Sequence, residues 1–266
     1  MPGWLAQHQA GLLVSDFDPL IIKRHWQAQL LAATDISVHE VDAHNIVPCW
    51  QASSNLEFAA YTLRPKIKKL LPEFLESFSQ LAVHPFPAAT PATRFPEVSE
   101  LLEKLQIDRR VGEVDWLKPG SRAAQAQLNS FLQDRISSYD TQRNDPTQDL
   151  QSNLSPYLHF GQLSAQRVAL EVLRQDIKTP AAESFLEELI VRRELADNFC
   201  YYNPQYDAVA GFPAWAQKTL YEHVDDVREY FYSQDEFEQA RSHDPIWNAA
   251  QRQLLISGKM HGYMRM

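Results

Sequence analysis

The spacing of hydrophobic and polar residues predicts a strand, a helix and a second strand within the first fifty positions. Residues 11–15 hold a short apolar run that ends at Asp16, which predicts a buried strand. Apolar residues recur near helical spacing over 20–33, and apolar and polar residues alternate over 38–42. This order is typical of a parallel sheet covered by helices. Because two strands alone rarely make a stable sheet, the segment is expected to belong to a larger α/β domain.

From about residue 56 the pattern becomes helical and stays so. Residues 82–96 contain four prolines and show no periodicity, which predicts an irregular connector. The predicted fold is an α/β remnant of a parallel-sheet domain followed by an all-α domain, so the chain should be predominantly helical. Helices are predicted near 97–105, 121–136, 165–175, 180–202 and 245–257.

Composition excludes some classes of protein without naming one. The formal net charge of -9 argues against a protein that coats nucleic acid nonspecifically, although it leaves room for a local basic patch. The two cysteines and the absence of a Cys/His ligand spacing predict a reduced, intracellular compartment and no metal site. With no long apolar run and no signal-peptide pattern in the sequence, a soluble cytoplasmic protein is expected.

Small polar side chains precede a proline at residues 151–155. Ser155 is predicted to cap a helix that Pro156 begins. The free N–H groups and the positive dipole end of such a helix suit a phosphate group. The pattern fits either an ordinary helix cap or a phosphate site.

Charged residues share one face of the helix predicted over 180–202. Glu188 and Arg192 lie four positions apart, with the glutamate first, and Leu195 and Phe199 continue that face. The two charges either line a polar pocket or form a surface ion pair worth only about a few tenths of a kcal/mol.

A further helix is predicted near the end of the chain. Asp244 should cap it, Pro245 should begin it and Gly258 should end it. Trp247 is either a core residue or the neighbour of a ring cofactor. Residues 259–266 are basic and aromatic, as a surface facing nucleic acid would be.

Five strings occur in a fixed order along the chain: VDAHNIVP at 41–48, LRPKI at 63–67, SNLSPYLHFG at 152–161, EELIVRRELADNF at 187–199 and WNAAQ at 247–251. Together they resemble the class II cyclobutane pyrimidine dimer photolyases of the photolyase/cryptochrome family. The resemblance implies a light-dependent DNA repair lyase with an N-terminal α/β domain and a C-terminal helical FAD domain. Residues 1–55 would end the α/β domain, 56–114 would connect, and 115–266 would form the FAD domain.

The resemblance also implies roles for single residues. Glu188 would hydrogen-bond the dimer and stabilise its radical anion, and Met266 would lie under the dimer. Trp247 would be the middle member of a tryptophan chain that photoreduces FAD, and Val191 stands where class I enzymes carry a tryptophan against the dimer. FAD would be held or flanked by Tyr139, Gln151, Ser152, Asn153, Leu154, Ser155, Phe185, Arg192 and Arg265.

The implied partner is double-stranded DNA carrying a pyrimidine dimer, bound by a monomer, and a second, antenna chromophore stays an open question. The chain is expected to be a fragment that lacks both ends of such a protein and binds FAD weakly by itself. Two alternatives remain: a cryptochrome-like flavin photosensor that signals without repair, and an inactive remnant.

Overall fold

The computed structural model describes residues 1–83, 85, 97–109, 111–175 and 179–265. The chain divides into two units, of which the first joins Met1–Glu76 to Pro119–Phe231. The second unit joins Ser77–Lys118 to Tyr232–Met266. These units differ from the predicted domains, whose boundaries after residues 55 and 114 stay a prediction.

Helices make up most of the described chain. They are, in chain order, α1 Pro2–Gln7, α2 Ile21–Ala32, α3 Cys49–Ala52, α4 Ala60–Phe74, α5 Val98–Lys104, α6 Ser121–Asp134, α7 Tyr139–Gln142, α8 Ser155–His159, α9 Ala165–Arg174, α10 Pro180–Leu186, α11 Arg193–Tyr202, α12 Ala214–Glu222, α13 Gln234–Glu238, α14 Pro245–Ser257 and α15 Gly262–Arg265. Two 3₁₀ turns cover Ile136–Ser138 and Val209–Gly211, and a π turn over Glu187–Arg192 joins α10 to α11.

The predicted strands form a parallel pair. Strands β1 (Leu12–Asp16) and β2 (Ser37–Val41) run in register from Leu12 opposite Ser37 to Asp16 opposite Val41, with α2 as the crossover. Leu12 and Val14 each remain about half exposed. The strand–helix–strand order and the later helices confirm the predicted fold class. Most of these elements begin and end within one or two residues of the predicted positions.

Apolar residues at helical spacing build the core of the first unit. Leu63 and Ile67 lie one turn apart on α4, Leu128 and Phe131 lie on the inner face of α6, and all four are fully buried. Val168 and Val172 of α9 are likewise buried. No helix among the described residues is long and apolar enough to cross a membrane.

The second unit contains α5 and α13 to α15, and its best-defined helix, α14, begins and ends as predicted. The Asp244 carboxylate accepts hydrogen bonds from the N–H groups of Ile246 (2.8 Å) and Trp247 (3.2 Å). Gly258 has a left-handed φ of 68°, and a Cβ there would lie 2.7 Å from Val114 Cγ2. Glycine is thus required both by the backbone and by the space available.

Candidate active site

Three aromatic side chains form the centre of the candidate site. The ring centroids of Phe131, Tyr139 and Phe185 lie 4.7–5.8 Å apart, with Tyr139 edge-on to both phenylalanines. Burial raises the pKa of the Tyr139 phenol. Two residues predicted from the resemblance, Tyr139 and Phe185, are therefore in direct contact, and the Tyr139 hydroxyl keeps its proton at neutral pH.

Side chains of α6 and of Arg135, directly after it, bind the main chain at the start of residues 151–155. The Gln127 side-chain amide donates to the carbonyl of Ser152 (2.8 Å), and the Arg135 guanidinium donates to that of Gln151 (3.3 Å). The same guanidinium lies 6.0 Å from the Phe131 ring centroid, at the limit for a cation–π contact. The predicted loop and the predicted aromatic residues are thereby brought together on one side of α6.

The prediction that Ser155 caps the following helix is wrong. Ser155 is already the first helical residue of α8, and Leu154 occupies the cap position. Asn153 has a left-handed φ of 59°, so the chain turns one residue earlier than expected, and this turn buries the Leu154 side chain. The polar side chains of Ser152 and Ser155 stay at least partly accessible.

Of the two alternatives left open for Glu188 and Arg192, the surface ion pair between them is wrong, because the helix there is a π turn. Five-residue spacing brings Arg192 beside Glu187, with Nε 3.6 Å from Oε1. Glu188 instead pairs with Arg143, whose Nη1 lies 3.1 Å from its Oε1. The Glu188 side chain is 41% exposed, so the carboxylate faces outward beside the aromatic cluster.

Arg143 is a site residue that the sequence analysis missed. Its guanidinium carbon lies 5.4 Å from the centroid of the Tyr139 ring, one helical turn earlier. The charge of Arg143 also opposes the effect of burial on the pKa of that phenol. The four-residue spacing from Tyr139 was the available signal, since residues so spaced are neighbours on a helix.

Comparisons with known proteins identify the family of this chain. A family model described as DNA photolyase matches residues 1–92. The deoxyribodipyrimidine photo-lyase of Potorous tridactylus is 44% identical over 269 residues, which are 100% of this chain and 50% of the relative. That of Methanothermobacter thermautotrophicus is 39% identical over 264 residues, 97% of this chain and 56% of the relative. The chain belongs to the DNA photolyase family. It spans about half the length of the curated relatives it matches.

Solved structures of a photolyase and of a cryptochrome have the same fold as this chain. A class III photolyase from Agrobacterium tumefaciens has a TM-score of 0.69 at 18% identity, covering 99% of this chain and 54% of that one. A cryptochrome from Synechocystis sp. PCC6803 also has a TM-score of 0.69, at 17% identity, and covers 100% of this chain and 55% of that one.

The remaining residues predicted from the photolyase resemblance have diverse surroundings. Arg192 is exposed and Val191 is buried. Trp247 and Arg265 belong to the second unit, where the Trp247 ring is 38% exposed and lies 5.1 Å from that of Phe237. Met266 lies outside the described residues, so its predicted place under the dimer stays a prediction.

A second polar cluster, which the sequence analysis also missed, joins residues 42–57 to α11; we call it the seam. Glu194 is 3% exposed, and its Oε1 accepts from the N–H groups of Ile46 (2.7 Å) and Val47 (3.4 Å). Its Oε2 is buried with no hydrogen-bond partner among the described residues. Burial raises the pKa of Glu194 to about 7 despite the two donated hydrogen bonds.

Asn198 and Glu57 complete the seam one turn further along α11. The Asn198 amide accepts from the main-chain N–H of Glu57 (2.7 Å) and donates to the carbonyl of Asn55 (3.1 Å). Burial alone would raise the pKa of Glu57, but hydrogen bonds from Lys66 and Ser53 outweigh it and hold the pKa at about 2. Three of the five telling strings thus meet at this seam.

Proposed function

We propose that the protein splits cyclobutane pyrimidine dimers in double-stranded DNA in a light-dependent reaction, with FAD as its cofactor. Membership of the DNA photolyase family supports DNA repair as the general activity. The observation that carries the finer proposal is Glu188, a partly exposed carboxylate that Arg143 holds beside the cluster of Phe131, Tyr139 and Phe185.

The residues beside this cluster fit the chemistry of FAD. A pyrophosphate and a polyol chain need hydrogen-bond donors and positive charge, and the loop 151–155 offers hydroxyl and amide side chains while its carbonyls are already bound by α6. The Tyr139 phenol, which keeps its proton at neutral pH, is a further donor. Arg135 beside the loop supplies positive charge. Gln151, Ser152, Asn153, Leu154 and Ser155 would hold the phosphates and ribityl chain, with Phe185 and Arg192 near the ring.

The residues of this chain bind and orient the lesion. When bound and reduced, FAD supplies the light-driven electron. A dimer stacks weakly and leaves the duplex at lower cost than an intact base pair, so it can reach the partly exposed side chain of Glu188. Glu188 would lie against the dimer and hold the Arg143 guanidinium beside it, and that guanidinium would donate hydrogen bonds to the negative charge that develops there.

The test is a repair assay on the FAD-loaded protein. A dimer-containing duplex should lose its dimers under blue light and not in the dark, and Glu188→Gln should slow the loss. Glu183→Gln, which changes an exposed glutamate on α10, is the matched control and should repair at the parent rate. A flavin spectrum with no light-dependent repair would favour a photosensor of the cryptochrome type, and failure of every preparation to bind FAD would favour an inactive remnant.

A further inference from the structure

The π turn needs an interaction that holds it, because π geometry is rare and a regular α-helix is the default. In an α-helical register Glu188 and Arg192, four residues apart, would attract each other. In the π register Arg192 lies beside Glu187 instead, and Glu188 is left to Arg143. The choice of register therefore decides which arginine the candidate catalytic carboxylate meets.

Arg64, from the LRPKI string, donates hydrogen bonds to both carboxylate oxygens of Glu187, the first residue of this turn. Its Nε donates to Glu187 Oε2 (3.0 Å) and its Nη2 to Glu187 Oε1 (2.8 Å). A planar guanidinium that binds both oxygens fixes the direction of a carboxylate as well as its charge. Hydrogen bonding to Arg64 lowers the pKa of Glu187, and the charges of Arg192 and Lys68 act in the same direction.

The helix that carries Arg64 is itself firmly anchored. Leu63 and Ile67, on either side of Arg64 in sequence, are fully buried in the core of the first unit. Lys66 makes an ion pair with Glu57 of the seam. Arg64 is therefore a fixed point from which Glu187 can be held.

We propose that Arg64 is a positioning residue for the repair reaction: its two hydrogen bonds to Glu187 maintain the π turn and keep Glu188 directed toward Arg143. This inference rests on the proposed role of Glu188 in repair. Loss of these two hydrogen bonds releases Glu187, so the turn no longer keeps Glu188 directed toward Arg143.

The first test uses arginine side-chain NMR signals and needs no activity. In the parent chain, Glu188→Gln should shift the guanidinium signals of Arg143 and leave those of Arg192 in place. In the Arg64→Gln background the same change should no longer shift the Arg143 signals. If Glu188→Gln still shifts Arg143 in that background, the proposal is overturned. Glu187→Gln weakens the same pair of hydrogen bonds by changing the acceptor, and it should give the same NMR pattern as Arg64→Gln.

Two further variants distinguish the effect of the two Arg64 hydrogen bonds from the effect of positive charge. Lys68→Gln removes a positive charge of α4 that acts on Glu187 only through its charge. This variant should keep the NMR pattern of the parent chain. Arg64→Lys retains the charge but cannot bind both oxygens, so it should follow Arg64→Gln. A parent pattern in Arg64→Lys would overturn the bidentate basis of the proposal.

The second test measures dimers repaired per absorbed photon by the FAD-loaded protein. Arg64→Gln should lower this yield several-fold at unchanged affinity for damaged DNA, whereas Lys68→Gln should match the parent. If the NMR pattern changes as expected but the yield does not, the positioning role stands and the proposed function of Glu188 fails. If the NMR pattern does not change, the positioning role fails whatever the yield.

Discussion

Glu188 and Glu194 lie six residues apart on one continuous run of helix, yet their surroundings are opposite. Glu188 is 41% exposed and pairs with the side chain of Arg143. Glu194 is 3% exposed, and its partners are main-chain N–H groups of Ile46 and Val47. A side-chain partner can be exchanged for a ligand, whereas main-chain partners cannot leave without unfolding a segment. The candidate site can therefore exchange its partners during a reaction, whereas the seam stabilises the fold.

This contrast predicts that changes in the seam cost stability and that changes in the site cost activity. The largest effect is expected from Asn198→Ala, which removes the partner of the buried N–H of Glu57 and that of the partly buried carbonyl of Asn55. The free energy of unfolding, measured in urea, should fall by about 3 kcal/mol. Asn129→Ala on the exposed face of α6 is the control and should cost less than about 0.5 kcal/mol. Equal losses in both variants would contradict a special role for the seam.

Glu194→Gln should change how stability depends on pH. Because burial raises the pKa of Glu194 to about 7, the folded protein holds this proton between pH 4.5 and 7 while the unfolded chain releases it. The stabilisation is therefore complete below about pH 4.5 and is lost as pH rises to about 7, by up to about 3 kcal/mol.

The measurement is the free energy of unfolding at several values of pH between 4.5 and 8. The parent should lose more stability than Glu194→Gln over that range, and the difference isolates Glu194 from His44, whose pKa the hydrogen bond to Asp197 also raises. Glu57, with a pKa of about 2, contributes stability that is lost only below pH 4.5. Parallel curves for parent and variant would show that Glu194 does not titrate in this window.

Glu188→Ala should spare the fold and impair the chemistry. Loss of one hydrogen bond to a developing anion should raise the barrier to repair by roughly 1–3 kcal/mol. Stability should change by less than about 0.5 kcal/mol, because the side chain is half exposed. The checks are the repair yield of the FAD-loaded protein and its retained flavin. Equal yields would reduce Glu188 to an ordinary ion-pair partner of Arg143.

Trp247→Phe should lower stability by only about 1 kcal/mol, since most of the ring volume is kept. Trp247 packs on Phe237 and remains 38% exposed. Light-driven reduction of oxidised FAD should nevertheless collapse, while repair from chemically reduced FAD persists. Photoreduction at the parent rate would make Trp247 a packing residue.

The ends of α14 were predicted correctly from the sequence, whereas contacts between distant parts of the chain were not. Asp244 and Gly258 mark the ends of α14 because a cap depends on neighbours within a few residues. The π turn could not be predicted, since Arg64 lies 123 residues from Glu187. The role of Glu194 was equally hidden, because Ile46 lies 148 residues away.

The π turn also fixes how far α11 is rotated about the helix axis relative to α10. Each residue of an α-helix advances the face by about 100°, so deleting one residue within Glu187–Arg192 would rotate Asn198 away from its partners or turn Glu188 away from Arg143. Substitutions on the outer surface leave this rotation unchanged, whereas a change of length does not. The run between Glu188 and Asn198 should therefore tolerate changes of residue type far better than insertions or deletions.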